Sequence, residues 1–182
     1  MPVSLLTAAA VLIALAILAR WIAKWLSYRG DRLVTCPENR RPAGVRVDAP
    51  LAALTAWPTA RLRLDSCSRW PERAGCGQQC LREIQEFPAG CLVRNILANW
   101  YQGKACASCG QIFSEIRWEV QKPALLRADK TSVEWKDIPV DRLTAELEHS
   151  APLCFACHMA STLVREHPEL AIQRETEFRP PK

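Results

Sequence analysis

Nine cysteines lie in this chain of 182 residues, and four of them form two Cys-x-x-Cys pairs, Cys106/Cys109 and Cys154/Cys157, with 44 residues between. A Cys-x-x-Cys turn lets two thiolates converge on one ion, because the backbone amides of the tight turn point at the sulfurs. Two such turns supply the tetrahedral four-sulfur set that Zn²⁺ favours. Gly110 follows the first pair as in a metal knuckle, and the second pair opens a helical pattern whose N-terminal dipole stabilises thiolate. These four cysteines are the candidate ligands of a structural zinc ion. The same thiolates would suit the iron of an iron–sulfur cluster. The plain alternative is four reduced thiols packed as small hydrophobes.

The second pair also reads Cys154-Phe-Ala-Cys157-His158, the attachment sequence of a c-type haem with His158 as proximal ligand. A distal ligand would then have to come from His149 or His167, Met1 being inside or beyond the membrane, or from nothing, and haem attachment would leave Cys106 and Cys109 unexplained. A thiol oxidoreductase is a third alternative, but its Cys-x-x-Cys belongs after a strand in a βαβ setting, which is missing here. Of the other five cysteines, Cys76 and Cys80 lie four apart, and Cys36 and Cys67 fall at strand ends. These four could form a second metal site. Cys91 is then left as a buried core thiol.

Catalytic groups are scarce. The three histidines all lie near the C-terminus, and no Gly-rich phosphate loop, nucleophile elbow or His-Glu zinc motif is present. No catalytic residue, small-molecule substrate or nucleic-acid partner is therefore expected; basic residues interleaved with aromatics are lacking.

Around these cysteines an α+β architecture is expected. Leu33–Cys36 and Val45–Val47 flank the polar turn 38–41 as a hairpin, 49–58 reads as a connection, and 60–65 alternates as a strand that delivers Cys67. After a loop over 68–77, helices are expected over 78–87, with Cys76 and Cys80 on one face at its start, and over 88–101, ended by Gly103. Beyond the first Cys-x-x-Cys, 115–121 alternates as a strand. A second hairpin joins Leu125-Leu126 to Val133-Glu134-Trp135, and helices follow over 141–149 and from Met159 to Leu170. Knuckle, hairpin and then cysteines at a helix N-terminus resembles a treble-clef or zinc-ribbon-like module over Gly103 to about Leu170. The resemblance implies a zinc ion held by Cys106, Cys109, Cys154 and Cys157. The expected organisation is an anchor and flank (1–28), a cysteine-containing hairpin and helical region (29–102), the treble-clef-like module (103–170) and a tail (171–182).

The anchor follows from Val3 to Ala19, seventeen residues without a charge, extended past Arg20 and Lys24 by Trp21, Ile22, Trp25 and Leu26. About 20 apolar helical residues cross the hydrocarbon core, with tryptophans and long cations in the headgroup zone. A cleaved signal peptide would carry a positive n-region, and none precedes this run. Arg20, Lys24, Arg29 and Arg32 all lie on the C-terminal flank, so the positive-inside rule puts the soluble part in the cytoplasm, on a single-pass inner-membrane anchor of bacterial type. From Arg20 to Arg63 there are nine Lys and Arg against three Asp and Glu, so the net charge of +5 belongs to the membrane-proximal third. With the anchor set aside, about 155 residues remain for a small core. The expected role is a non-enzymatic accessory or assembly subunit of a membrane complex, stapled by one zinc ion or two, with a protein partner. The alternatives are an electron-transfer protein carrying haem or a cluster, and a thiol oxidoreductase.

Overall fold

A computed structural model describes residues 2–57, 59–73, 75–118 and 122–169, with side chains from residue 7. The fold is mixed α+β, with an apolar N-terminal helix and two small antiparallel sheets in two compact units, Met1–Asn95 and Ile96–Lys182.

The first unit opens with α1 (Pro2–Tyr28), which ends on stacked Trp21 and Trp25 rings 6.4 Å apart and the Arg29 guanidinium 4.8 Å over Trp25. Its stretch Thr7–Tyr28 is long and apolar enough to cross a membrane, and Val11, Leu12, Ile13, Leu15, Ile17 and Leu18 are all exposed. Strands β1 (Asp31–Thr35) and β2 (Pro42–Val47) form the expected hairpin, registered from Asp31↔Arg46 to Thr35↔Pro42. Alternation along these strands sends Val34, Ala43, Val45 and Val47 into a core completed by Ala52, Leu64, Ile84 and Cys91. Cys91 is thus the core thiol expected of it. Arg32, expected as a flanking charge, is instead fully buried. Its guanidinium donates to Ser27 O at the end of α1 (2.7 Å), to Pro88 O and to Cys91 Sγ (3.4 Å), so carbonyl dipoles replace water around the charge.

Three expectations shift in this unit. Residues 49–58 are not simply a connection: α2 (Ala49–Leu54) forms because Asp48 Oδ1 accepts the Leu51 amide at 3.0 Å, Pro50 suits the first turn, and alanines favour helix. The strand expected over 60–65 is β3 (Leu64–Cys67), antiparallel to β2, and Cys67 is its last residue. The next helix, α3 (Leu81–Glu86), starts late. Gln78 at φ 52 interrupts the helical path, leaving Cys80 at the N-cap and Cys76 in the preceding turn, so the two do not share a helical face.

Helix α4 (Val93–Tyr101) is shorter than expected at its start because 88–92 turns, and Gly103 at φ 73 follows its end. In the second unit, β4 (Ala124–Leu126) and β5 (Ser132–Glu134) make the expected hairpin. Its turn is fixed by the amide and hydroxyl of Thr131 on Asp129 Oδ1. Short 3₁₀ turns lead to α5 (Leu143–His149), then β6 (Ala151–Leu153) and α6 (Phe155–Glu166). The sheet order β5-β4-β6 leaves the expected strand over 115–121 unformed across 115–118: both edges of β4 are taken by β5 and β6. Trp118 instead meets Trp135 edge-on at 5.5 Å. The last helix, expected to reach Leu170, stops at Glu166: His167 is its C-cap, with its amide on Leu163 O, and Pro168 follows. Positions 119–121 and the tail 171–182 lie outside the described residues.

Candidate metal centre

Residues 105–112 fold back on themselves through a bridge between Ala105 and Ile112, and the turn at its tip carries the first cysteine pair. The Cys106 amide donates to Gln111 O (2.8 Å) and the Gly110 amide to Cys106 O (2.9 Å), with Gly110 in the left-handed region at φ 75. Glycine reaches that conformation without the Cβ clash other residues meet. The hairpin is tied at its open end by the Phe113 amide on Lys104 O (2.9 Å). Beneath it, Tyr101 is fully buried, its ring 4.8 Å from Phe113 and its hydroxyl donating to Ala124 O at 2.6 Å, so α4, the knuckle and β4 share one anchor.

The second pair arrives through the sheet. β6 pairs with β4 as Ala124↔Leu153, and β6 runs directly into Cys154, the N-cap of α6. Two bonds join the pairs: the Ala107 amide to Pro152 O (2.9 Å) and the Cys154 amide to Cys106 Sγ (3.3 Å). The Cys157 amide in turn points at Cys154 Sγ (3.5 Å), as the first turn of a helix provides.

All four sulfurs of Cys106, Cys109, Cys154 and Cys157 lie within 4.8 Å of one another, with Cys109 Sγ and Cys154 Sγ 3.8 Å apart. That spacing surrounds a single ion whose sulfur bonds run about 2.3 Å. Cys106 is buried, Cys154 and Cys157 are half-buried and Cys109 is exposed, so the cluster has one open side. Burial opposes charge on Cys106, but amides of Cys109, Cys154 and Ser108 outweigh it and hold the thiol at about 6. Cys154 is pushed the opposite way, by burial and by the neighbouring sulfurs of Cys157, Cys106 and Cys109. One thiolate is thus preformed, while the crowding that resists a second is what a cation relieves.

His158 follows the second pair but turns away from it. It is 8 % exposed, with Nδ1 2.9 Å from Ser132 Oγ and Nε2 3.9 Å from Glu134 Oε1, both on β5. Ser161 Oγ, 2.9 Å from Ser132 Oγ, completes this polar group. Neither Ser132 nor Glu134 carried a signal in the sequence; the hairpin register delivers them. His149 Nδ1 lies 2.8 Å from Ala145 O and His167 Nδ1 3.0 Å from Glu169, while Met1 is outside the described residues. The other sequence-predicted set, Cys36, Cys67, Cys76 and Cys80, lines a common cavity of the first unit. There burial pushes the Cys80 thiol up to about 11, helped by Cys67, Cys76 and Cys36. Among the described residues, only the C-terminal four are gathered as tightly as 4.8 Å; the Cys36 set is looser.

Comparisons of the chain with protein-family models, with curated proteins and with solved structures find no match.

Proposed function

We propose that the chain is a membrane-anchored protein whose second unit is a treble-clef-like module folded around one structural zinc ion, and that it serves as a non-enzymatic accessory or assembly element of a membrane complex. The observation that carries the reading is the convergence of four cysteine sulfurs from two separate turns within 4.8 Å. Hydrophobic packing has no need to draw four sulfurs to one point, whereas a tetrahedral thiolate site requires it. The order of knuckle, hairpin β4–β5 and cysteines at the start of α6 supports the treble-clef comparison. In this reading zinc substitutes for part of a core whose fully buried local members, among the described residues, are Cys106, Ala124 and Leu153, with Phe113 and Leu126 partly buried against them.

Anchoring is supported by the uncovered apolar length of α1, and a cytoplasmic placement of the soluble part by the basic residues that follow it. A uniformly apolar helix with exposed side chains requires lipid or a partner to cover it. Pairing of His158 with Ser132 and Glu134 gives its imidazole a structural role, without haem.

The test is to purify the full-length chain in detergent and record its metal content and visible spectrum. Colourless protein whose zinc content falls by one ion per chain on Cys109→Ser or Cys157→Ser is the expected result. A covalent haem band that survives denaturation would overturn both the zinc assignment and the cytoplasmic placement.

A further inference from the structure

The knuckle turn is built twice in this chain. In 106–111 the first amide donates to the carbonyl five residues on (2.8 Å), and the fifth residue's amide returns to the first carbonyl (2.9 Å) at φ 75. Amides of the third and fourth residues, Ser108 and Cys109, point at Cys106 Sγ. In 36–41 the Cys36 amide donates to Arg41 O (2.9 Å), the Arg40 amide returns to Cys36 O (2.8 Å), and Arg40 sits at φ 55. Here too the amides of the third and fourth residues, Glu38 and Asn39, point at the sulfur of the first. Asn39 stands where the other turn has Cys109, so this knuckle offers one sulfur instead of two. Amides converging on a sulfur matter chiefly when the sulfur carries charge.

Cys36 opens onto a cavity of about 90 Å³ that Cys67, Cys76 and Cys80 also line. Cys67 ends β3, Cys80 stands immediately before α3, and Cys76 lies on the loop between them. Arg69 Nη1 donates to Cys36 Sγ at 2.9 Å, and both Arg69 and Arg73 approach Glu38, at 3.7 and 3.5 Å. Four thiolates about a divalent cation leave a surplus of negative charge, and the Arg69 guanidinium on Cys36 Sγ offsets part of it, as outer partners of metal sites do, while Glu38 shares the charge of Arg69 and Arg73.

We propose that Cys36, Cys67, Cys76 and Cys80 are the ligands of a second zinc ion in this cavity, with Arg69 as the outer partner of the Cys36 sulfur. Binding is a ligand exchange without oxidation: each zinc–sulfur bond forms as a thiol gives its proton to water or as Arg69 yields the thiolate. The loose ring tightens as the ion enters. The inference concerns the first unit alone and does not depend on the C-terminal centre.

Elemental analysis of the full-length chain in detergent should find about two zinc ions per chain, halved by Cys36→Ser with Cys67→Ser and halved, at the other centre, by Cys109→Ser with Cys157→Ser. Titrating metal-stripped wild type with Co²⁺ avoids the risk that a variant misfolds. Thiolate-to-cobalt absorption should rise to about two equivalents, and to about one in the Cys109→Ser, Cys157→Ser variant. A wild type that saturates at one equivalent and loses it with Cys109→Ser overturns this inference and leaves the C-terminal centre standing. One equivalent lost only with Cys36→Ser does the reverse. Disulfides among Cys36, Cys67, Cys76 and Cys80, or iron bound in their place, would also overturn it.

Discussion

Gly110 allows the C-terminal knuckle to be perturbed without touching a ligand. It sits at φ 75, and a Cβ built there would meet nothing within 4 Å, so Gly110→Ala introduces no clash with its surroundings and its cost is conformational. Holding an L-residue in the left-handed region costs about 1–2 kcal/mol. The smaller backbone freedom of alanine in the unfolded chain returns about 0.4–1 kcal/mol. The net penalty is about 1 kcal/mol, and it falls on the closed turn, because the Gly110 amide makes the bond to Cys106 O that closes it. If zinc binds only the closed turn, and the turn is mostly open until zinc binds, its affinity should drop about fivefold. The assay is competition for zinc between the full-length protein in detergent and a chelator of known affinity. Arg40 holds the equivalent place in the 36–41 turn at φ 55, so Arg40→Gly reverses the balance and should stabilise the first unit by about 0.5–1 kcal/mol in a urea titration. Unchanged zinc affinity in Gly110→Ala, or destabilisation by Arg40→Gly, would refute the idea that turn conformation positions the sulfurs.

Tyr101→Phe keeps the ring against Trp100 and Phe113 but removes the donor to Ala124 O, and should cost the second unit about 1–2 kcal/mol in urea unfolding. His158→Ala should leave zinc content unchanged while lowering the melting temperature, since the imidazole partners are Ser132 and Glu134; loss of metal would make it a ligand. The Cys106 thiol is held at about 6 in the fold against an ordinary 9.0, so its thiolate contributes stability that is complete above pH 9 and lost as pH falls through 6. Cys154 is shifted upward, and its contribution changes only above pH 9. Metal-stripped protein should therefore melt at progressively lower temperature from pH 9 to pH 6, and a flat or rising trend contradicts the assignment.

Where two segments adjoin along the chain, the sequence discloses the structure well. The β1–β2 and β4–β5 hairpins follow from alternating apolar residues around polar turns, and α1 from its uninterrupted apolar run. What the pattern cannot hold is competition for a partner. Residues 115–118 alternate as well as β2 does, yet β4 has no edge left for them, because Ala151–Leu153, a three-residue run containing a proline, takes its second edge. Pro152 lacks an amide donor and suits an outer strand, a placement that only the tertiary pairing reveals. Arg32 is a similar case. Its charge suggests a membrane flank, but the carbonyls that surround it come from Ser27 and from Pro88, which lies 56 residues away.

The two cysteine sets differ in legibility for a physical reason. Spacing exposes a knuckle only when both of its sulfurs are ligands; the hydrogen bonds that define the turn are made by backbone, which any residue supplies. Thus Cys106-Ala-Ser-Cys109 is recognisable and Cys36-Pro-Glu-Asn39 is not, although the two turns share the same pair of closing bonds and the same left-handed fifth residue. The left-handed position gives the same lesson: Gly110 marks its turn, whereas Arg40 adopts the conformation against its preference and leaves no mark. A non-glycine residue held there needs something to hold it, and for 36–41 this is the β1–β2 register, which fixes Thr35 opposite Pro42 and leaves six residues to turn between them. The hairpin thus imposes the knuckle, and the knuckle aims its amides at Cys36 whatever residue occupies position 39.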